Sequence, residues 1–126
     1  MSSAEATAGE DVNTSCVFCR IAAGDLPADV LARTEHCVAF RDLSPQAPVH
    51  VLVVPVRHVE NAGTVELDDA EVLAQMIVMA REVARSQGIA DTGYRLVFNV
   101  GDDANNTVPH LHLHVIGGRR LGWPPG

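Results

Sequence analysis

Apolar and polar positions change period along this chain, and the changes lay out its elements. "CVFCRIAAG" is short, compact and closed by Gly24, which predicts a short helix ending on a glycine. "DLPADV" then leads into a first strand over 30–33, and "HCVAFRD" reads as a second. Two prolines and a serine make "DLSPQAPVH" a loop, after which "HVLVVPV" is an apolar, β-branched run of strand length suited to the middle of a sheet. From Leu67 the period lengthens. Val72, Met76, Met79 and Val83, with Leu73, Ile77, Ala80 and Ala84, form an apolar stripe at helical spacing. Asp68, Asp69 and Glu71 suit the positive end of that helix dipole, and Gly88 marks its end. "YRLVFNV" returns to strand, "GDDANNT" is a loop, and a last strand precedes the tail "LGWPPG".

The order β-β-β-α-β-β, with a short helix in front, predicts an α+β domain with a mostly antiparallel sheet. Composition narrows the picture without changing it. With 126 residues, 47% of them hydrophobic, the chain can bury one core and has little room for a second. The first fifteen residues are polar, acidic and small, so the domain is expected over 16–126 with a disordered tail over 1–15. That tail lacks both the basic start and the apolar run of a signal peptide, and no stretch has the length and apolarity of a membrane span. A formal net charge of −7 argues against a surface that tracks long nucleic acid, while leaving room for a pocket holding one small anion. Three cysteines make a poor disulfide framework, so reduced thiols and a cytoplasmic address are expected.

The chemistry concentrates in "VPHLHLHVIGG". His110, His112 and His114 stand at every second position between aliphatic residues, as they would on one face of a strand whose other face carries Leu111, Leu113 and Val115. This reading starts the strand near Pro109, ends it at Gly117-Gly118 and turns the three imidazoles toward a cleft or solvent. A decorated surface strand, a metal site and a catalytic ridge all remain open on spacing alone. One ion shared by all three is disfavoured, because a rise of ~3.3 Å per residue sets the outer backbones ~13 Å apart, against zinc–nitrogen bonds of ~2.1 Å. As a catalyst, a neutral imidazole is a nucleophile suited to a phosphorus centre.

"HLHLHV", "FRDLSPQAPVHVLVVPVRH" and "GGRRLGWPPG" together resemble the histidine triad (HIT) family, in its nucleotide-binding branch, over roughly residues 16–126. The resemblance implies a HIT-like fold: a five-stranded sheet with one long and one short helix, the sheets of two subunits joined across a homodimer. It implies a nucleoside 5′-phosphoramidate hydrolase that acts on purine nucleotides through a nucleotidyl-histidine and needs no cofactor for catalysis. His112 would be the nucleophile. His114 would hydrogen-bond the phosphate, and His50 would work with His110 to hold the nucleophile's tautomer. Thr107 and Asn99 would contact phosphate or leaving group, Asp42 would accept from the ribose hydroxyls, and Phe18, Ile21, Phe40 and Leu43 would wall the base. Trp123 would cross to the partner's site. On composition alone each has a plainer role: Asp42 as a turn residue, the phenylalanines as core, His50 as a structural histidine, Trp123 as a packed anchor.

One departure stands out, since the family's Gly-Gln-Ser or Gly-Gln-Thr is Asn105-Asn106-Thr107 here. Asn is the non-glycine residue best able to take a positive φ, so the loop is expected to keep its shape at Asn105. Asn106, however, is a methylene shorter than glutamine, which shifts donor placement around the leaving group, so a nucleotide-binding regulatory module with little turnover is one alternative; a zinc-dependent hydrolase is another. "CVFC" gives Cys16 and Cys19 the spacing that grips zinc, with His58 and His110 as the further ligands that some relatives use for a structural zinc. A thioredoxin-like role lacks its βαβ setting. Cys37 reads as a small buried hydrophobe, and Arg119 and Arg120 as solvated charges near the mouth of the site.

Overall fold

A computed structural model describes residues 15–126 of the chain. The expected tail therefore lies outside the described residues, apart from Ser15. The elements are a helix α1 (Val17–Ala22), strands β1 (Val30–Arg33), β2 (Cys37–Arg41) and β3 (Val49–Pro55), a helix α2 (Ala70–Ser86), and strands β4 (Tyr94–Val97) and β5 (Leu113–Gly117). The five strands form one sheet in the order β1-β2-β3-β5-β4, antiparallel at every junction. Among the described residues no helix is long and apolar enough to cross a membrane.

Alternation decides what each sheet face becomes. Val49, Val51 and Val53 of β3 point with Ala39, Leu113 and Val115 toward α2, whose Met76, Met79, Ala80, Val83 and Ala84 complete the larger core. The alternate residues, Val38, Phe40, Leu52 and Val54, pack with Phe18, Cys19, Ile21 and Ala22 of α1 into a second cluster. Because α1 is so much shorter than α2, it covers only part of its face. His50 and His114 lie on that incompletely covered face, and the cleft opens there. Gly24, at φ 84°, supplies the left-handed residue that closes α1.

Two strand expectations need correction. The histidine strand begins at Leu113, so of the three histidines only His114 belongs to the sheet. Val53 pairs with Leu113, but the ladder stops two residues before Pro55, which has no N–H to extend it. The preceding chain instead bonds Leu111 N–H to the carbonyl of Val59 and brings the His110 ring to the carbonyl of Pro55. The imidazoles are also less open than expected, His110 being fully buried and His112 only 9% exposed. "YRLVFNV" likewise stops pairing at Val97, the end of its antiparallel register with β5. The long helix is entered through a 3₁₀ turn, Leu67–Asp69, before the α-helix proper.

Candidate active site

A cleft of about 280 Å³ lies on the face opposite α2, with His112 and His114 in its wall. Phe18, Ile21, Phe40, Asp42, Leu43, Asn99 and Thr107 also line it, so residues 89 positions apart in sequence meet around one hollow. Five further lining residues, Pro27, Ala28, Arg41, Leu52 and Val108, were missed from sequence. Leu52 had a signal, standing two positions beyond His50 on the same face of β3. The ring of Phe18 sits edge-on to His112, centroids 5.1 Å apart, and to Phe40 at 5.5 Å.

Backbone groups assign each ring its tautomer. His112 Nδ1 lies 2.7 Å from the carbonyl of His110; a carbonyl can only accept, so Nδ1 carries a proton, and in the neutral ring Nε2 keeps its lone pair. His50 is held the opposite way. Its Nδ1 accepts from the N–H of Gln46 at 3.0 Å, leaving the proton of the neutral ring on Nε2. That Nε2–H can donate to His114 Nδ1 at 2.9 Å, with Asp42 Oδ2 3.4 Å from the same nitrogen. His114 then has its own proton on Nε2. The result is one imidazole with a free lone pair and, 5.0 Å away between centroids, one with an N–H to offer an anion.

The expected partnership of His50 and His110 around the nucleophile takes a different form. It is the backbone carbonyl of His110 that meets His112, while the His110 ring turns into a separate cluster and His50 supports His114.

Burial is the main cause of the shifted acidities here. It lowers His114 to about 4, helped by His112 and His50 and opposed by Asp42. It lowers His50 as well, again against Asp42. Between pH 6.5 and about 4 the unfolded chain therefore binds protons that the folded chain refuses, so stability is complete above 6.5 and drains away as pH falls through 4. The urea midpoint should fall steadily across that window. A midpoint independent of pH there would contradict the buried, neutral relay.

The remaining expected residues divide. Asp42 is both a turn residue and a cleft residue: Oδ1 accepts from Ser44 N–H at 2.8 Å, Oδ2 faces His50, and the carboxylate borders the hollow. Leu43 is 97% exposed, so it forms a lip of the cleft rather than a packed wall. Trp123 is 82% exposed and lies outside the cleft of its own chain, with the Arg95 guanidinium 6.0 Å from its ring, so it is not an anchor packed within the subunit. Arg119 and Arg120 are exposed but border a different groove, beside Arg95. Asn105 adopts φ 66°, the left-handed conformation expected of it. Beside it, Asn106 Oδ1 is buried without a hydrogen-bond partner among the described residues.

Behind His112, four side chains converge. Cys16 Sγ lies 3.3 Å and Cys19 Sγ 3.4 Å from His110 Nδ1, Cys19 Sγ is 3.2 Å from His58 Nδ1, and the two Nδ1 atoms are 3.1 Å apart. In a tetrahedral zinc centre with bonds of ~2.1 Å to nitrogen and ~2.3 Å to sulfur, ligand atoms stand roughly 3.3–3.8 Å apart, so this donor set fits the ion. His110 Nε2 donates to the carbonyl of Pro55 at 3.0 Å, which reserves the Nδ1 lone pair for the cluster. Burial holds this ring well below the usual histidine range, at about 4, and so neutral. Asp42, His50 and His114 are also close enough to share an ion. There, however, the bond from Gln46 takes up the Nδ1 lone pair of His50 and puts the proton on the nitrogen that would have to ligate.

The HIT domain family model matches residues 23–121. An uncharacterised HIT-like protein of Azospirillum brasilense is 45% identical over 112 residues, spanning 84% of this chain and 88% of that protein. The crystal structure of a HIT family hydrolase from Legionella pneumophila superposes with a TM-score of 0.86 at 45% identity, over 88% of this chain and 99% of that one. A histidine triad nucleotide-binding protein from Candida albicans superposes with a TM-score of 0.74 at 26% identity, over 86% of this chain and 82% of that one.

Proposed function

The chain belongs to the histidine triad (HIT) family, and from that membership we propose that it is a nucleoside 5′-phosphoramidate hydrolase acting on purine nucleotides through His112. The observation that carries the reading is the His112 Nδ1–H bond to the His110 carbonyl, which makes Nε2 the lone-pair nitrogen of the neutral ring beside an anion-sized cleft. The Legionella relative is described as a hydrolase and the Candida relative as nucleotide-binding, and both descriptions agree with it.

In this reading Nε2 of His112 attacks the α-phosphorus. A bond from phosphorus to the ring forms, the phosphorus–amine bond breaks, and the amine leaves after gaining a proton. Water then attacks the nucleotidyl-histidine, returning the ring and releasing the nucleoside monophosphate. Net, one water gives its hydroxyl to phosphorus and its proton to the amine. His114 Nε2–H stabilises charge on a non-bridging oxygen, with the Gln46-anchored His50 keeping that donor in place. Thr107 and Asn99 contact the phosphate or the leaving group, Asp42 accepts from the ribose, and Phe18, Ile21 and Phe40 flank the base.

A structural zinc would be held by Cys16, Cys19, His58 and His110. It would supply rigidity rather than Lewis acidity, since four protein ligands leave no open position for substrate. The subunit would pair into a homodimer along the β4 side, where β4 is the sheet edge and Ile77, Leu96 and Val100 expose apolar surface.

Incubation with adenosine 5′-phosphoramidate should yield AMP and ammonia at a rate proportional to enzyme. AMP binding without AMP formation would instead support the low-turnover binding module, the reading favoured by Asn106 Oδ1, which has no partner among the described residues, in the altered loop. Asp42→Ala should raise KM for the nucleotide by about tenfold or more, a hydrogen bond to a charged group being worth about 1.5–3 kcal/mol. An unchanged KM would remove the ribose role.

A further inference from the structure

The cluster behind His112 and the cleft in front of it share parts to an extent that neither function requires. His110 is the first shared part. Its ring enters the cysteine–histidine set through Nδ1, while its own carbonyl holds His112 Nδ1–H at 2.7 Å, so the orientation of one residue sets both. The second is α1 with its capping residue Cys16: Cys16 and Cys19 face the set while Phe18 and Ile21 line the cleft. Six residues are too few for a helix to stand alone, so its position depends on what pins it. Here the pins are two sulfurs on one side and the Phe18 ring on the other, edge-on to His112 and, at 6.0 Å, to His110. The third is the Thr107–Val108 segment, which lines both the nucleotide cleft and a second hollow of about 430 Å³ bordered by Cys16 and His58.

We propose that metal occupancy of the Cys16–Cys19–His58–His110 set and nucleotide occupancy of the cleft are energetically coupled through His110 and α1, each tightening the other. The inference rests on the nucleotide-binding and zinc-holding readings above. It adds that the metal site regulates the catalytic site rather than only supporting the fold. A metal in the set fixes the His110 peptide and the depth of Phe18, the two features that aim His112 and shape the base pocket. A nucleotide pressing on Phe18 and meeting His112 fixes the same two features from the other side. Linkage makes the effect reciprocal, so the factor by which zinc tightens AMP equals the factor by which AMP tightens zinc.

The test measures both halves on the full chain. AMP affinity is determined by calorimetry for zinc-loaded and zinc-stripped protein, and zinc affinity by competition with a chromogenic chelator at zero and at saturating AMP. Both ratios should agree at about fivefold or more. Protein that takes up no zinc overturns the proposal together with the metal reading, and protein that binds no AMP overturns it together with the functional reading. Both ligands binding with constants indifferent to each other overturns the coupling alone. Should the stripped chain unfold, the loaded protein answers with cadmium in place of zinc: AMP should move the cadmium NMR resonance, saturating at the calorimetric Kd. A resonance that stays in place overturns the coupling.

Discussion

In His112→Asn, turnover of adenosine 5′-phosphoramidate falls by about 10⁴-fold or more, while AMP affinity stays within about threefold of the parent protein. Asparagine keeps an amide N–H that can reach the His110 carbonyl, so the local chain need not move, but it has no nitrogen lone pair able to attack phosphorus. Binding persists because the other lining residues, His114, Asp42, Phe18, Ile21 and Phe40 among them, are untouched. Single-turnover kinetics with the purified variant, alongside AMP titration, separates the two effects. Activity within about tenfold of the parent would mean that another group performs the attack.

The second large effect concerns the cluster. Cys19→Ala should lower the zinc content of the isolated protein from about one per chain to near zero and cost about 3 kcal/mol or more of folding stability, because the free energy of metal binding is spent on holding the fold. Cys19 would be the pivotal ligand, its sulfur touching both His58 and His110 while its backbone N–H reaches Cys16 Sγ. Cys37→Ala provides the comparison. That thiol is equally buried, and burial lifts it to about 11, but it sits in β2 within the larger core and outside the set. It should keep its zinc and lose about 1 kcal/mol, the scale of a small deletion in a packed core. Metal analysis and urea unfolding of both variants decide the matter. Equal zinc content in the two would contradict the ligand assignment.

How far these sites could be read from the sequence depended on what kind of group carries them. Periodicity sufficed for α2 and for the central placement of β3, because their patterns are long and each position reports one face. It failed at the start of β5, where alternation continues through His110 and Leu111 but pairing does not. The cause is Pro55, 55 residues away in the chain, which no local pattern can place opposite His110. The collection of His112, His114, Asp42, Asn99, Thr107, Phe18, Ile21 and Phe40 around one cleft followed from the family motifs, and composition alone would have left the phenylalanines in the core. The division of labour among the three histidines was less visible. It is written by the carbonyls of His110 and Pro55 and the N–H of Gln46, groups every residue possesses, so no side-chain type announces them. Asn105 was legible for the opposite reason, since few residue types tolerate its left-handed backbone.

The most direct measurement is mass spectrometry of enzyme quenched in acid-free denaturant during turnover of adenosine 5′-phosphoramidate, with the labelled peptide sequenced. An adenylyl group bound to His112 is the expected result. An adduct on His114 or His50, or AMP accumulating with no adduct at any time in the first turnover, would contradict it.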